Sequence, residues 1–155
     1  MNIIPIDILL AEDSEDDVVL IRETLEGTKL VNLAQVVPDG EQALDYLRQA
    51  GQYRNAQRPG LVLLDINMPR KNGLEVLEAM KADPKLRMLP VIMLTISGRE
   101  EDVVRAYANG ACSYIRKPVG FNDFQKLVNQ FCLYWAQVAT IPGHPAPEPN
   151  TKEQA

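Results

Sequence analysis

Five short apolar runs, each followed by a segment of helical character, constrain this chain more than any other feature: Ile6 to Ala11, Asn32 to Val37, Leu61 to Asp65, Val91 to Thr95 and Cys112 to Arg116. Strands alternating with helices at this spacing make βαβ units, which build a parallel sheet. The first, third and fourth runs are apolar almost without a break (Ile8-Leu9-Leu10, Leu61-Val62-Leu63-Leu64, Val91-Ile92-Met93-Leu94). A strand covered on both faces requires that pattern, so these three are the expected central strands.

The intervening segments carry helix signals. Val18, Ile21 and Leu25 recur at helical spacing after Ser14, an N-cap residue type. Asp39 with Gln42, Asn72 with Glu75 and Ser97 with Glu100 have the form of capping boxes, and Asn109-Gly110 supplies a stop. A last helix is expected from Phe121 to Ala139, with Phe124, Val128, Phe131, Trp135 and Val138 on one stripe. The expected fold class is therefore α/β: a (βα)5, flavodoxin-like, doubly wound parallel sheet of strand order 2-1-3-4-5, spanning residues 1–139. From Thr140 to Ala155, Pro142, Pro145, Pro147 and Pro149 remove backbone donors and no apolar period survives, so 140–155 reads as a Pro-rich flexible tail with His144 solvated.

A length of 155 residues, 46% of them hydrophobic and 24% charged, suits one domain with one functional site. The formal net charge of −5 gives no footprint for a nucleic-acid backbone, so direct DNA binding is not expected. The segment from Met1 to Ala11 has no basic leader, and no stretch is long and apolar enough to cross a bilayer. Cys112 and Cys132 do not make a disulfide framework; both lie in apolar segments and read as small buried hydrophobes in a cytoplasmic protein.

In an open α/β sheet, ligands bind beyond the carboxyl ends of the strands, where the strand order reverses; for order 2-1-3-4-5 that crevice lies between the first and third strands. Glu12 and Asp13 follow the first strand, Asp65 ends the third, Thr95 ends the fourth and Lys117 follows the fifth. Three carboxylates brought together repel, so the site calls for a cation. Mg²⁺ fits, because it takes hard oxygen ligands and keeps room for water or a phosphate oxygen. Glu15, Asp16 and Asp17 read differently, as acids favouring the positive end of the first helix.

These residues resemble the response regulator receiver domains over Ile6 to about Val138. The resemblance rests on Leu9-Leu10-Ala11-Glu12-Asp13, on Leu63-Leu64-Asp65-Ile66-Asn67-Met68-Pro69 with Asn72-Gly73, on Val91-Ile92-Met93-Leu94-Thr95, and on Ser113-Tyr114-Ile115-Arg116-Lys117-Pro118. It implies that Asp65 is the phosphoacceptor, that Asp13 binds Mg²⁺ directly and Glu12 through water, and that the main-chain carbonyl of Asn67 completes the protein ligands. It further implies that Thr95 and Lys117 contact the phosphoryl oxygens, that Tyr114 is a switch residue moving in from outside as Thr95 shifts, and that the Lys117-Pro118 bond is cis. The implied partner is a sensor histidine kinase.

Ala50-Gly51-Gln52-Tyr53, Arg99-Glu100-Glu101-Asp102 and Leu133-Tyr134-Trp135 before the Pro-rich tail further resemble the single-domain regulators paired with phytochrome-type histidine kinases. That resemblance, with Leu133, Tyr134, Trp135 and Val138 at the end of a helix too long for its sheet, leads to the expectation of a homodimer and of no attached effector domain. Two residues depart from the family pattern: Ile96 stands where receivers usually carry a small residue, and Gly120 where an Asp often precedes the last helix. A haloacid dehalogenase-like hydrolase would carry its nucleophile after the first strand, and an FMN carrier would need a Gly- and hydroxyl-rich loop where this chain has Glu12-Asp13-Ser14-Glu15. A pseudo-receiver scaffold would lack the intact set of Asp13, Asp65, Thr95 and Lys117.

Overall fold

The computed structural model describes residues 4–143. Five parallel strands form one sheet, β1 (Ile6–Ala11), β2 (Val31–Val37), β3 (Leu61–Leu64), β4 (Val91–Thr95) and β5 (Ser113–Arg116), in the order β2-β1-β3-β4-β5. Five helices connect and extend them: α1 (Glu15–Glu26), α2 (Gly40–Leu47), α3 (Gly73–Ala82), α4 (Glu100–Ala108) and α5 (Phe121–Leu133). The expected fold class and strand order are those observed.

Alternate side chains of a strand point to opposite faces, and here both faces are dry. Leu9, Val62, Leu64 and Met93 face a core closed by Leu44, Leu77 and Met80 of α2 and α3. Ile8, Leu10, Leu63 and Ile92 face the opposite core, closed by Ile21 of α1 and Phe124 and Val128 of α5. The uninterrupted apolar runs of β1, β3 and β4 follow from this double burial. Strands β2 and β5 are the edges, are only partly buried, and carry Asn32, Gln35, Ser113 and Arg116.

The Asn72–Glu75 capping box is complete, and Asp39 caps α2 by accepting from the Gln42 amide. The third anticipated box is absent. Ser97 Oγ donates to Asp102 Oδ2 at 2.6 Å and accepts from the Arg99 amide at 3.4 Å, so it caps no amide of α4. Helix α4 begins at Glu100 after Arg99, with Glu100, Glu101 and Asp102 against its positive end.

The last helix is not one regular rod to Ala139. Regular α5 ends at Leu133, and a π turn covers Tyr134–Val138, closed by Ala139 N–H on the Tyr134 carbonyl at 2.8 Å. Phe124, Val128 and Phe131 of the anticipated stripe are buried, Trp135 is half-buried, and Val138 is 71% exposed because the wider turn shifts the helical phase. The chain then brings Ile141 into the α1/α5 core beside Gly60 and Ile6. His144, Pro145, Pro147 and Pro149 lie outside the described residues.

Cys132 is buried, as anticipated, but Cys112 is exposed. It precedes edge strand β5, where its amide joins the ladder to Val91 while its side chain faces outward. No cis peptide bond occurs among the described residues, so Lys117-Pro118 is trans. The trans backbone already suffices to aim Lys117 inward, because its amide donates to the Thr95 carbonyl at 2.8 Å and its side chain reaches the acids at the carboxyl ends of β1 and β3.

Candidate functional site

Parallel strands end together, so residues far apart in sequence meet at the carboxyl edge of the sheet. The Asp65 amide donates to the Ala11 carbonyl at 3.0 Å, which extends the β1·β3 ladder by one step and sets the carboxylate beside Glu12. Glu12 is in turn tied to β2 through its amide and the Val37 carbonyl, 2.9 Å. Glu12, Asp13 and Asp65 each offer an oxygen, and these oxygens all lie within 4.8 Å of one another. It is the one such group of acids, histidines or cysteines among the described residues.

Close packing holds Asp65 from below. A Cβ on Gly73 would sit 2.0 Å from the Asp65 carbonyl oxygen, so only glycine lets α3 begin so near the acceptor strand. The Gly73 amide donates to the Ile66 carbonyl, and the Asn67 amide donates to Asp65 Oδ1 at 3.3 Å.

Lys117 is buried, and its ammonium has three acceptors: Glu12 Oε2 at 2.6 Å, Asp17 Oδ2 at 2.8 Å and Asp65 Oδ2 at 3.2 Å. Burial alone would lower its pKa, but the hydrogen bonds to Asp17 and Glu12 and the charge of Asp65 outweigh that and raise it, so it stays a cation. Burial pushes the Glu12 carboxyl up to about 7, with the Asp65 charge acting in the same direction and the Lys117 hydrogen bond against it. Three carboxylates, Glu12, Asp17 and Asp65, thus contact one ammonium, and a fourth, Asp13, lies beside Glu12 and Asp65. Oxygen donors only, in excess of the local positive charge, fit a divalent cation.

Thr95 is fully buried at the end of β4, and its Oγ1 accepts from the Ser97 amide at 3.3 Å. Tyr114 does not wait outside. Its ring packs against the core and its hydroxyl donates to the Ser97 carbonyl at 2.9 Å, while its amide donates to Tyr107 Oη. The β4–α4 connection already offers Tyr114 an acceptor, so the half-buried position needs no prior movement of Thr95. The structure therefore brings Glu12, Asp13, Asp65 and Lys117 together and leaves Thr95 and Tyr114 sharing Ser97 beside them.

Asp17 stands at the positive end of α1, as the sequence reading has it, but its contact with Lys117 is an addition that reading lacks. An acid in this first turn is explained by the helix dipole alone, so no sequence signal singled Asp17 out for the site.

Residues 8–129 match the response regulator receiver domain family. Response regulator Rcp1 of Synechocystis sp. is 38% identical over 135 residues, covering 87% of this chain and 92% of that protein. Among solved structures, the phosphorylated cyanobacterial phytochrome response regulator RcpA superposes with a TM-score of 0.87 at 38% identity, covering 90% of this chain and 100% of the other. The Mn²⁺-bound form of Rcp1 gives 0.86 at 37% identity, again over 90% of this chain and all of the other. No helix among the described residues is long and apolar enough to cross a membrane. The matched span, the β2-β1-β3-β4-β5 sheet and the acids gathered at its carboxyl edge lead to one conclusion: this chain belongs to the response regulator receiver domain family and acts in two-component signalling.

Proposed function

We propose that Asp65 accepts a phosphoryl group from the phosphohistidine of a sensor kinase of the phytochrome type, in the cytoplasm and with Mg²⁺. The observation that carries this reading is the Asp65 carboxylate, buried at the end of central strand β3 with Lys117 Nζ 3.2 Å from its Oδ2. An Asp65 oxygen attacks phosphorus, the phosphorus–nitrogen bond to the histidine breaks, and the imidazole leaves with a proton while an acyl phosphate forms. Asp13, Asp65 and the Asn67 carbonyl would hold Mg²⁺, with Glu12 acting through water; once bound, the ion neutralises charge on the phosphoryl oxygens. Lys117 and the Thr95 hydroxyl are the chain's own groups for those oxygens.

The chain catalyses only its own phosphorylation and dephosphorylation. Its output is a change of surface around Ser97, the residue that binds both the Thr95 hydroxyl and the Tyr114 hydroxyl. A Thr95 hydroxyl drawn to the phosphoryl group gives up the Ser97 amide and frees that loop to rearrange. Two copies pair through Leu133, Tyr134, Trp135 and Val138, three of them exposed large apolar side chains. Support for the kinase type comes from relatives that are themselves phytochrome response regulators.

Phosphotransfer decides the matter. A phytochrome-type kinase bearing radiolabelled phosphohistidine should lose label to the wild-type chain within minutes and keep it in the presence of Asp65→Asn. Label reaching both proteins equally would refute the assignment.

A further inference from the structure

Asp17 remains unused in the chemistry above, yet its Oδ2 lies 2.8 Å from Lys117 Nζ, closer than Asp65 does. An ammonium has three donors, and here Glu12, Asp17 and Asp65 take one each. The three partners are not equivalent. Glu12 and Asp65 belong to the acid group whose oxygens gather within 4.8 Å, and Asp17 does not. A divalent cation there would compete with Lys117 for Glu12 and Asp65 and repel the ammonium, while the Asp17 contact could persist.

Asp17 is built to keep that contact. Ser14 Oγ accepts its amide at 3.4 Å, and the same cap anchors α1 directly after the Glu12-Asp13 pair, so the Asp17 side chain starts from a fixed point beside the site. Its side chain is 28% exposed against 4% for Lys117. Water therefore reaches the Asp17 carboxylate at the rim, unlike an acid sealed in the interior.

We propose that Asp17 is a positioning residue: it tethers the Lys117 ammonium at the rim of the site while metal and phosphoryl group occupy it, leaving the other ammonium donors for a phosphoryl oxygen. Without the tether the four-carbon stem of Lys117 regains rotamer freedom, and the cation reaches the phosphoryl oxygens less often. This inference rests on the reading of Asp65 as phosphoacceptor.

The test compares wild type, Asp17→Asn and Asp17→Glu, each also in a Lys117→Met background, with acetyl phosphate at saturating Mg²⁺ and labelling followed by intact mass. Asp17→Asn should lower the maximal rate about fivefold, the upper range for a partly exposed ion pair, without changing the half-saturating acetyl phosphate. Asp17→Glu, which keeps the charge, should recover most of the rate. In the Lys117→Met background Asp17→Asn should change nothing, because the tether has no cation to hold. Proton–nitrogen NMR of lysine ammonium groups gives a readout independent of labelling: the Lys117 signal should persist on adding Mg²⁺ in wild type and broaden away in Asp17→Asn. Equal rates for wild type and Asp17→Asn, the same slowing in both backgrounds, or an ammonium signal indifferent to Asp17 would overturn the proposal. Labelling of Asp65→Asn at the wild-type rate would defeat the phosphoacceptor reading instead, and the ammonium signal would still decide the Asp17 contact.

Discussion

Glu12 and Asp13 are neighbours in sequence with opposite environments. Glu12 is buried, and both of its oxygens are engaged, Oε1 by the Ser14 amide and Oε2 by Lys117. Asp13 is exposed and faces the same cluster. A ligand must surrender lone pairs to the metal, and Asp13 has them free while Glu12 would have to give up Lys117. Isothermal titration should therefore show Mg²⁺ affinity falling about tenfold in Glu12→Gln, the low end of the range for groups that orient a metal site from outside its ligands, and by more, about a hundredfold or beyond, in Asp13→Ala, which removes a ligand. An unchanged affinity in Asp13→Ala would remove that residue from the site. At this scale the sequence was informative where a residue type is costly without a purpose. A buried Asp65 at a strand end and an inward Lys117 need partners, and they found each other. Asp17 was not legible, because the helix dipole already accounts for an acid at that position.

At the scale of elements, α5 carries a titration that can be read in isolation. Cys132 lies on its buried face, and burial pushes the thiol up from 9.0 to about 11. Above pH 9 the unfolded chain ionises this thiol while the native state does not, so stability is intact below about pH 9 and declines as pH rises towards 11. Tyr46, Tyr53 and Tyr114, raised by burial, and Lys117 act in the same direction at higher pH, so the comparison must be with Cys132→Ala. Denaturant unfolding should show wild type losing about 1 kcal/mol more than Cys132→Ala between pH 8 and pH 10; parallel profiles would contradict the buried-thiol account. Elements were legible in proportion to their burial. Strands β1, β3 and β4 are apolar on both faces and were found nearly to the residue, whereas β2 and β5, edge strands with polar residues, were displaced by one residue at their starts. The start of α4 was missed because the Ser97 hydroxyl accepts from the Arg99 amide and donates to Asp102, two residues short of a capping amide within the helix, and the end of α5 because a change of helical pitch leaves no mark in a periodic stripe.

For the whole molecule, the sheet order decides what the chain can do, because it puts β1 and β3 side by side and so makes one site from residues over fifty positions apart. The same architecture leaves an apolar surface exposed at the end of the last helix. Ile141 turns into the core next to Gly60, while Leu133 and Tyr134 are each 50% exposed and Val138 more so. Tyr134 and Trp135 meet edge to face, their ring centroids 5.2 Å apart, so the patch is preformed and loses little side-chain freedom on being covered. Sedimentation at about 50 µM should give a dimer for the full chain and a monomer for Tyr134→Glu with Val138→Glu, two changes at exposed positions that leave the core intact. A full chain that sediments as a monomer at that concentration would count against pairing through this face.

If Asp65 carries the signal as proposed, intact-mass spectrometry of the phosphorylated chain shows it. Incubated with acetyl phosphate and Mg²⁺, the wild-type chain should gain the mass of one phosphoryl group, lose it again on treatment with hydroxylamine as an acyl phosphate must, and show no gain when Asp65 is replaced by Asn or when the metal is chelated. A phosphoryl adduct of equal yield on Asp65→Asn would contradict the account.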